Sequence, residues 1–147
     1  MKIRFLLLPL LLALSTFAQA ENWSTDYKAS LAEAKKHNKL VLLDFTGSDY
    51  CAGCILLAKN VYPTAEFQSF LVKNFVPVTV DFPNFIRLPN TVALQNNRLQ
   101  DQFKVEAIPT LIVVSPDGRE IGRLEAPALV PITSPALIEK LRKLIKK

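Results

Sequence analysis

The sequence predicts an α/β domain built on a central mixed four-stranded sheet with helices on both faces. Three observations carry this expectation. Four short runs of strand-forming residues alternate with segments of helical periodicity. The first two runs, Leu40 to Phe45 and Phe75 to Phe82, are separated by helical segments, a crossover that makes them parallel. The last two, Thr110 to Val114 and Glu120 to Leu124, flank Ser115-Pro116-Asp117-Gly118, a tight turn that makes them antiparallel.

The chain has 147 residues, half of them apolar, which suits one domain with a substantial core. Residues 1–20 read as a signal peptide: Lys2 and Arg4 form a positive n-region, Phe5 to Phe17 an apolar h-region, and Ala18-Gln19-Ala20 a cleavage site. The single domain then spans 21–147, beginning at Glu21. The apolar stretch is shorter than the ~20 residues a membrane-spanning helix needs, so the expected location is periplasmic or secreted, with no membrane anchor after cleavage. Losing Lys2 and Arg4 lowers the formal net charge from +5 to +3. Much of the remaining positive charge lies in Lys140, Arg142, Lys143, Lys146 and Lys147, where cations complement the negative end of a helix. A solvated helix end explains them without a nucleic-acid partner.

Ser24 can cap a first helix over about Thr25 to His37, with Trp23, Tyr27, Leu31 and Ala34 at helical spacing and Asn38 as its stop. His37, the only histidine, falls at the exposed end of this helix and reads as a surface residue. The strand Leu40 to Phe45 is apolar on both faces, as a covered central strand should be, except at Asp44. A carboxylate there costs free energy unless it is paired or protonated.

The strand breaks at Thr46-Gly47-Ser48-Asp49 and delivers Cys51 and Cys54, the only two cysteines, to the first turn of a helix running to about Asn60. The unpaired N–H groups and the dipole at a helix N-terminus stabilise a thiolate, so Cys51 should have a lowered pKa. Cys54 lies one turn behind and can reach the same sulfur. Such a pair can open a substrate disulfide, hold it as a mixed disulfide, and release it by closing on itself. A bridge spanning only two intervening residues contributes little as a structural staple, so the spacing favours chemistry.

Beyond Pro63-Thr64 a second helical segment covers Ala65 to Lys73. In the strand that follows, Pro77 suggests a position near a sheet edge. Pro83 to Pro89 is a loop, and Asn90 caps a helix to about Phe103 with Val92, Leu99 and Phe103 on one stripe. Pro127, Pro131 and Pro135 space out an extended linker. Ser134 as cap and Pro135 at the first helical position start the last helix, whose Leu137, Leu141, Leu144 and Ile145 face the core.

Phe45-Thr46-Gly47-Ser48-Asp49-Tyr50-Cys51-Ala52-Gly53-Cys54, followed at a distance by Ala107-Ile108-Pro109-Thr110-Leu111, resembles the exported thioredoxin-like proteins of bacteria over about Trp23 to Leu124. The resemblance implies a thioredoxin fold and thiol-disulfide exchange, more reductant or isomerase-like than strongly oxidising. It makes Cys51 the attacking cysteine, Cys54 the resolving one, and Asp44 the buried acid that takes the resolving thiol's proton. Pro109 matches the family's cis-proline, with Tyr50, Ile108 and Pro109 as the substrate-binding surface. The sequence departs from the family in several places. The segment from Asp44 to Cys51 is one residue longer than in thioredoxin itself, Tyr50 replaces a tryptophan, and Ala52-Gly53 supplies no histidine between the cysteines. Asp49 would oppose ionisation of Cys51 if its carboxylate were close. The glycine that follows the family's final strand has no counterpart at Glu125-Ala126-Pro127.

The implied partners are protein thiols or disulfides and an upstream redox partner, with no cofactor. Nothing in the pattern demands more than a monomer. Two readings compete. The cysteines could hold copper or zinc, but two thiolates do not complete a tetrahedral site, and neither a second histidine nor a mature-chain methionine is present, so no metal site is expected. Alternatively the domain is a non-catalytic interaction platform with an inert disulfide.

Overall fold

In the described part of the chain the elements run helix α1 (Tyr27–His37), strand β1 (Leu40–Thr46), helices α2 (Ala52–Asn60) and α3 (Ala65–Asn74), strand β2 (Phe75–Asp81), helix α4 (Asn90–Phe103), strands β3 (Thr110–Val114) and β4 (Glu120–Glu125), and helix α5 (Ser134–Ile145). The structure, a computed structural model, describes residues 23–146. The expected signal peptide lies outside the described residues. Among the described residues no helix is long and apolar enough to cross a membrane.

The sheet order is β2-β1-β3-β4. β1 pairs parallel with β2 and antiparallel with β3, and β3 pairs antiparallel with β4. This is the predicted mixed four-stranded sheet. Alternation along β1 sends Val41, Leu43 and Phe45 to one face, where they pack with Ala34, Leu99 and Phe103 of α1 and α4. Leu42 points the other way, into a core with Leu57, Phe67, Leu71, Leu137 and Leu141 of α2, α3 and α5. The same period places Asp44 on the α2 face, opposite Thr79 of β2 and Leu111 of β3.

Pro77 does fall in the edge strand, where its missing N–H disturbs least. The outer side of β2 is partly covered by the segment before α1: Ser24 N–H donates to the Pro77 carbonyl (3.0 Å), and Thr79 N–H donates to the Ser24 carbonyl (2.8 Å). This pairing corrects the expected helix cap. With Ser24 held in a β-bridge, the chain enters α1 two residues later and Asp26 becomes the cap, its Oδ1 accepting from Ala29 N–H at 2.9 Å. Asn38 ends α1 in the left-handed conformation, as expected. His37 is exposed, 2.9 Å from Glu33 one turn earlier.

Two other caps shift by one residue. Pro89 and Thr133 take the cap positions, so Asn90 and Ser134 lie inside their helices. Ser134 is buried and its hydroxyl shares a 2.7 Å hydrogen bond with that of Thr64, tying α5 to the start of α3. The expected extended linker is instead a folded turn. Ala128 N–H donates to the Glu125 carbonyl, Val130 N–H donates to the Pro127 carbonyl, and Leu129 is fully buried against the α2 side of the core. The peptides before Pro127 and Pro131 are cis.

Candidate active site

Cys51 and Cys54 form a disulfide at the N-terminus of α2, with Cα atoms 5.2 Å apart. Cys51 is the helix cap, with extended backbone, and its sulfur accepts the Cys54 N–H at 3.2 Å. The Gly47 carbonyl accepts the Cys51 N–H at 3.0 Å, closing the turn that leads into the helix. The two sulfurs differ in access. Cys51 is half-buried, whereas Cys54 is only 4% exposed. An incoming thiol or disulfide therefore meets Cys51 first.

The three residues expected to bind substrate gather around this turn. The Ile108–Pro109 peptide is cis. A Cβ on Gly53 would lie 3.5 Å from Pro109 Cδ, so the proline ring packs directly against the CxxC turn. A Cβ on Gly47 would fall 2.7 Å from Tyr50 Cε1 and 2.9 Å from Ile108 Cδ1. Only glycine leaves room for the Tyr50 ring to lie over the backbone at this point, with Ile108 beside it. A Cβ on Gly53 would also meet Val130 Cγ2 at 2.9 Å, which places the 126–133 turn against the CxxC turn.

Asp44 is 6% exposed and lines, together with Cys54, a cleft of about 490 Å³. Burial pushes its pKa up to about 7, the Tyr62 hydroxyl pulls it down, and the charge of Asp81 raises it further. The Tyr62 hydroxyl and Asp44 Oδ1 are nonetheless both buried without a hydrogen-bond partner of regular geometry. Tyr62 therefore acts on the carboxylate mainly as a nearby dipole. Its own ring is held between Trp23 (centroids 4.8 Å) and Phe67 (5.3 Å).

Sequence reasoning did not single out Tyr62, Trp23 or Asp81 for the site. Trp23 precedes α1 rather than continuing its apolar stripe, and it closes the cleft beside Tyr62. Asp81 accepts from both the N–H (2.9 Å) and the hydroxyl (2.5 Å) of Ser48, pinning the segment that precedes the cysteines. Asp49 has partners that the sequence did not reveal. Its carboxylate is turned to the loop after β2, where it accepts the N–H groups of Asn84, Phe85 and Ile86 at 2.9, 2.6 and 3.0 Å. Desolvation works against its charge, but these donors outweigh it and hold the pKa below the ordinary value. Among the described residues no three histidine, cysteine or carboxylate side chains converge as a metal site would require.

A mixed sheet of this order with a CxxC disulfide capping α2 and a cis-proline against it defines a thiol-disulfide oxidoreductase of the thioredoxin fold. Residues 27–136 match the family profile of the thioredoxin-like domain, and the chain belongs to that family. Two proteins of Chlamydia pneumoniae are similar to it. The disulfide bond reductase DsbH is 29% identical over 120 residues, covering 82% of this chain and 70% of that protein. The thioredoxin-related protein DsbJ is 32% identical over 120 residues, covering 77% of this chain but 34% of that protein, so the chain spans about a third of DsbJ's length. A solved structure of a DsbH oxidoreductase superposes with a TM-score of 0.78 at 29% identity, covering 85% of this chain and 84% of that one.

Proposed function

We propose that this protein is an exported reductase of protein disulfides, with Cys51 as nucleophile, Cys54 as resolving thiol, Asp44 as proton acceptor, and Tyr50, Ile108 and Pro109 as the surface that receives the substrate. In the dithiol state the Cys51 thiolate attacks one sulfur of a substrate disulfide, forming a mixed disulfide and expelling the other substrate sulfur as a thiolate. Cys54 then gives its proton to Asp44 and attacks the Cys51 sulfur. The second substrate thiolate leaves, and two electrons have passed to the substrate. The protein is left as the disulfide seen here, to be reduced again by an upstream dithiol.

The observation that carries this reading is the difference in access between the two sulfurs at the helix start, with the shielded one sharing a cleft with a carboxyl whose pKa is near neutrality. A buried thiol ionises reluctantly, and a base poised near the working pH is the group best suited to accept its proton. The reductive direction is supported by the name carried by the relative DsbH. The absence of a histidine between the cysteines supports it too, since no imidazolium stabilises the dithiol form. Export rests on the leader pattern of residues 1–20.

The test is turnover of a disulfide-bonded protein with a dithiol donor in excess. The wild-type chain should multiply the donor's own rate, and Cys51→Ser should return it to the background. Equal rates for the two proteins would remove the assignment.

A further inference from the structure

We propose that Asp49 is a positioning residue that builds an apolar docking lip beside the disulfide, and that the lip receives an extended polypeptide segment with apolar side chains next to its cysteine. The inference deepens the reductase reading above and rests on it.

Three consecutive N–H groups, of Asn84, Phe85 and Ile86, converge on one carboxylate two residues before Cys51. Successive backbone donors aimed at one anion fix the path of the loop carrying them. With its backbone facing Asp49, the loop turns its side chains outward: Phe85 is 83% exposed and Ile86 57%. Tyr50, which links Asp49 to Cys51 in the chain, is 45% exposed and shares with Ile86 and Leu88 a cleft of about 340 Å³. Large apolar side chains left this open, in a loop held by its own charged staple, mark a binding surface rather than a packing fault.

Its position selects the occupant. Whatever exchanges disulfides with Cys51 must lie against Tyr50 and Ile108, because these side chains pack together over Gly47 at the edge of the CxxC turn. A polypeptide extended from that point across Tyr50 enters the cleft that Tyr50 shares with Ile86, the neighbour of Phe85 in the chain. A small disulfide with no flanking chain contacts only the turn. The lip therefore selects for disulfides carried by unfolded or extended apolar segments.

The experiment compares kcat/KM of the wild-type protein, Asp49→Ala and Phe85→Ser for two synthetic peptide disulfides. The peptides are identical except that phenylalanine and leucine flank the cysteine in one and serines in the other. Wild type should prefer the apolar peptide at least fivefold, chiefly through KM, and both variants should bring the ratio close to one. Because Phe85 is so exposed, Phe85→Ser reports on the lip even where Asp49→Ala fails to fold. Turnover of both peptides by wild type with no preference overturns the inference and leaves the reductase standing, as does a preference that survives in Phe85→Ser. A wild-type protein that turns over neither peptide overturns the reductase reading as well. Concentration-dependent dimerisation of the wild type that Phe85→Ser abolishes would assign the lip to a second copy of the chain and also overturn the inference.

Discussion

The backbone N–H of Cys54 points at the sulfur of Cys51 from 3.2 Å, across the opening turn of α2. In the disulfide this is a weak contact. Once the bond is reduced, the same donor faces a sulfur able to carry a full negative charge, and the helix dipole adds to it.

Reduced protein should therefore show a Cys51 thiol with a pKa below the ordinary value of ~8.5. Alkylation by iodoacetamide across pH 5 to 10, followed by mass spectrometry, checks this. Cys51 should react first, with its midpoint depressed, while buried Cys54 lags. Equal reactivity of the two thiols would show that the helix start does not distinguish them.

Asp44 gives a pH dependence with a defined sign. Its folded pKa of about 7 lies above the unfolded value of 3.8, so the folded protein keeps a proton that the unfolded chain has released. The associated stability is complete below the unfolded pKa and is lost as pH rises through the folded one, at no more than about 1.4 kcal/mol per pH unit. Thermal unfolding of the oxidised protein should thus show a midpoint that falls between pH 4 and pH 8. Asp44→Asn should flatten that fall and melt higher than wild type at pH 8. Parallel curves for the two proteins would mean that Asp44 is not buried as a neutral acid.

Activity should move the other way. With Asp44 accepting the resolving thiol's proton, as proposed, turnover should rise as pH climbs through about 7. Asp44→Asn should remove that rise and lower the rate at pH 7.5 by on the order of tenfold or more. Stopped-flow measurement of mixed-disulfide decay isolates the step.

Much of this was legible in the sequence, for a physical reason. The strands of the sheet are apolar blocks, and the cysteines, the proline and Asp44 sit at fixed places relative to them, so local pattern and topology locate the core of the site. What the sequence did not disclose are the partnerships between distant segments. Ser24 has a cap's chemistry but is taken by the edge of β2, leaving the cap to Asp26. Asp49 reads as a charge beside a thiolate until the loop at residues 84–86 supplies three donors for it. The prolines at 127 and 131 suggest an extended chain, and only the buried Leu129 between them reveals a folded turn.

That turn provides a stability test. Leu129 is fully enclosed with Leu57, Leu137 and Leu141. Leu129→Ala should cost about 2–5 kcal/mol, the range for emptying a leucine-sized core site. Urea unfolding of the oxidised protein measures it, and a loss under ~0.5 kcal/mol would mean the turn adds no packing, as for an ordinary surface substitution.

Gly47 gives a sharper local test. A methyl group there would overlap the Tyr50 ring and Ile108 Cδ1. Gly47→Ala should displace the exposed Tyr50 ring at little cost in stability and raise KM for a peptide disulfide. An unchanged KM would show that the ring does not need this seat.

The most direct measurement of the central claim is the trapping of the exchange intermediate. Cys54→Ser and Cys51→Ser proteins, each reduced and mixed with an excess of a peptide disulfide, are quenched in acid and weighed intact. The account predicts a persistent adduct of one peptide on Cys51 in the Cys54→Ser protein and almost none on Cys54 in the Cys51→Ser protein. Comparable adducts on both, or an adduct on Cys54 alone, would contradict it.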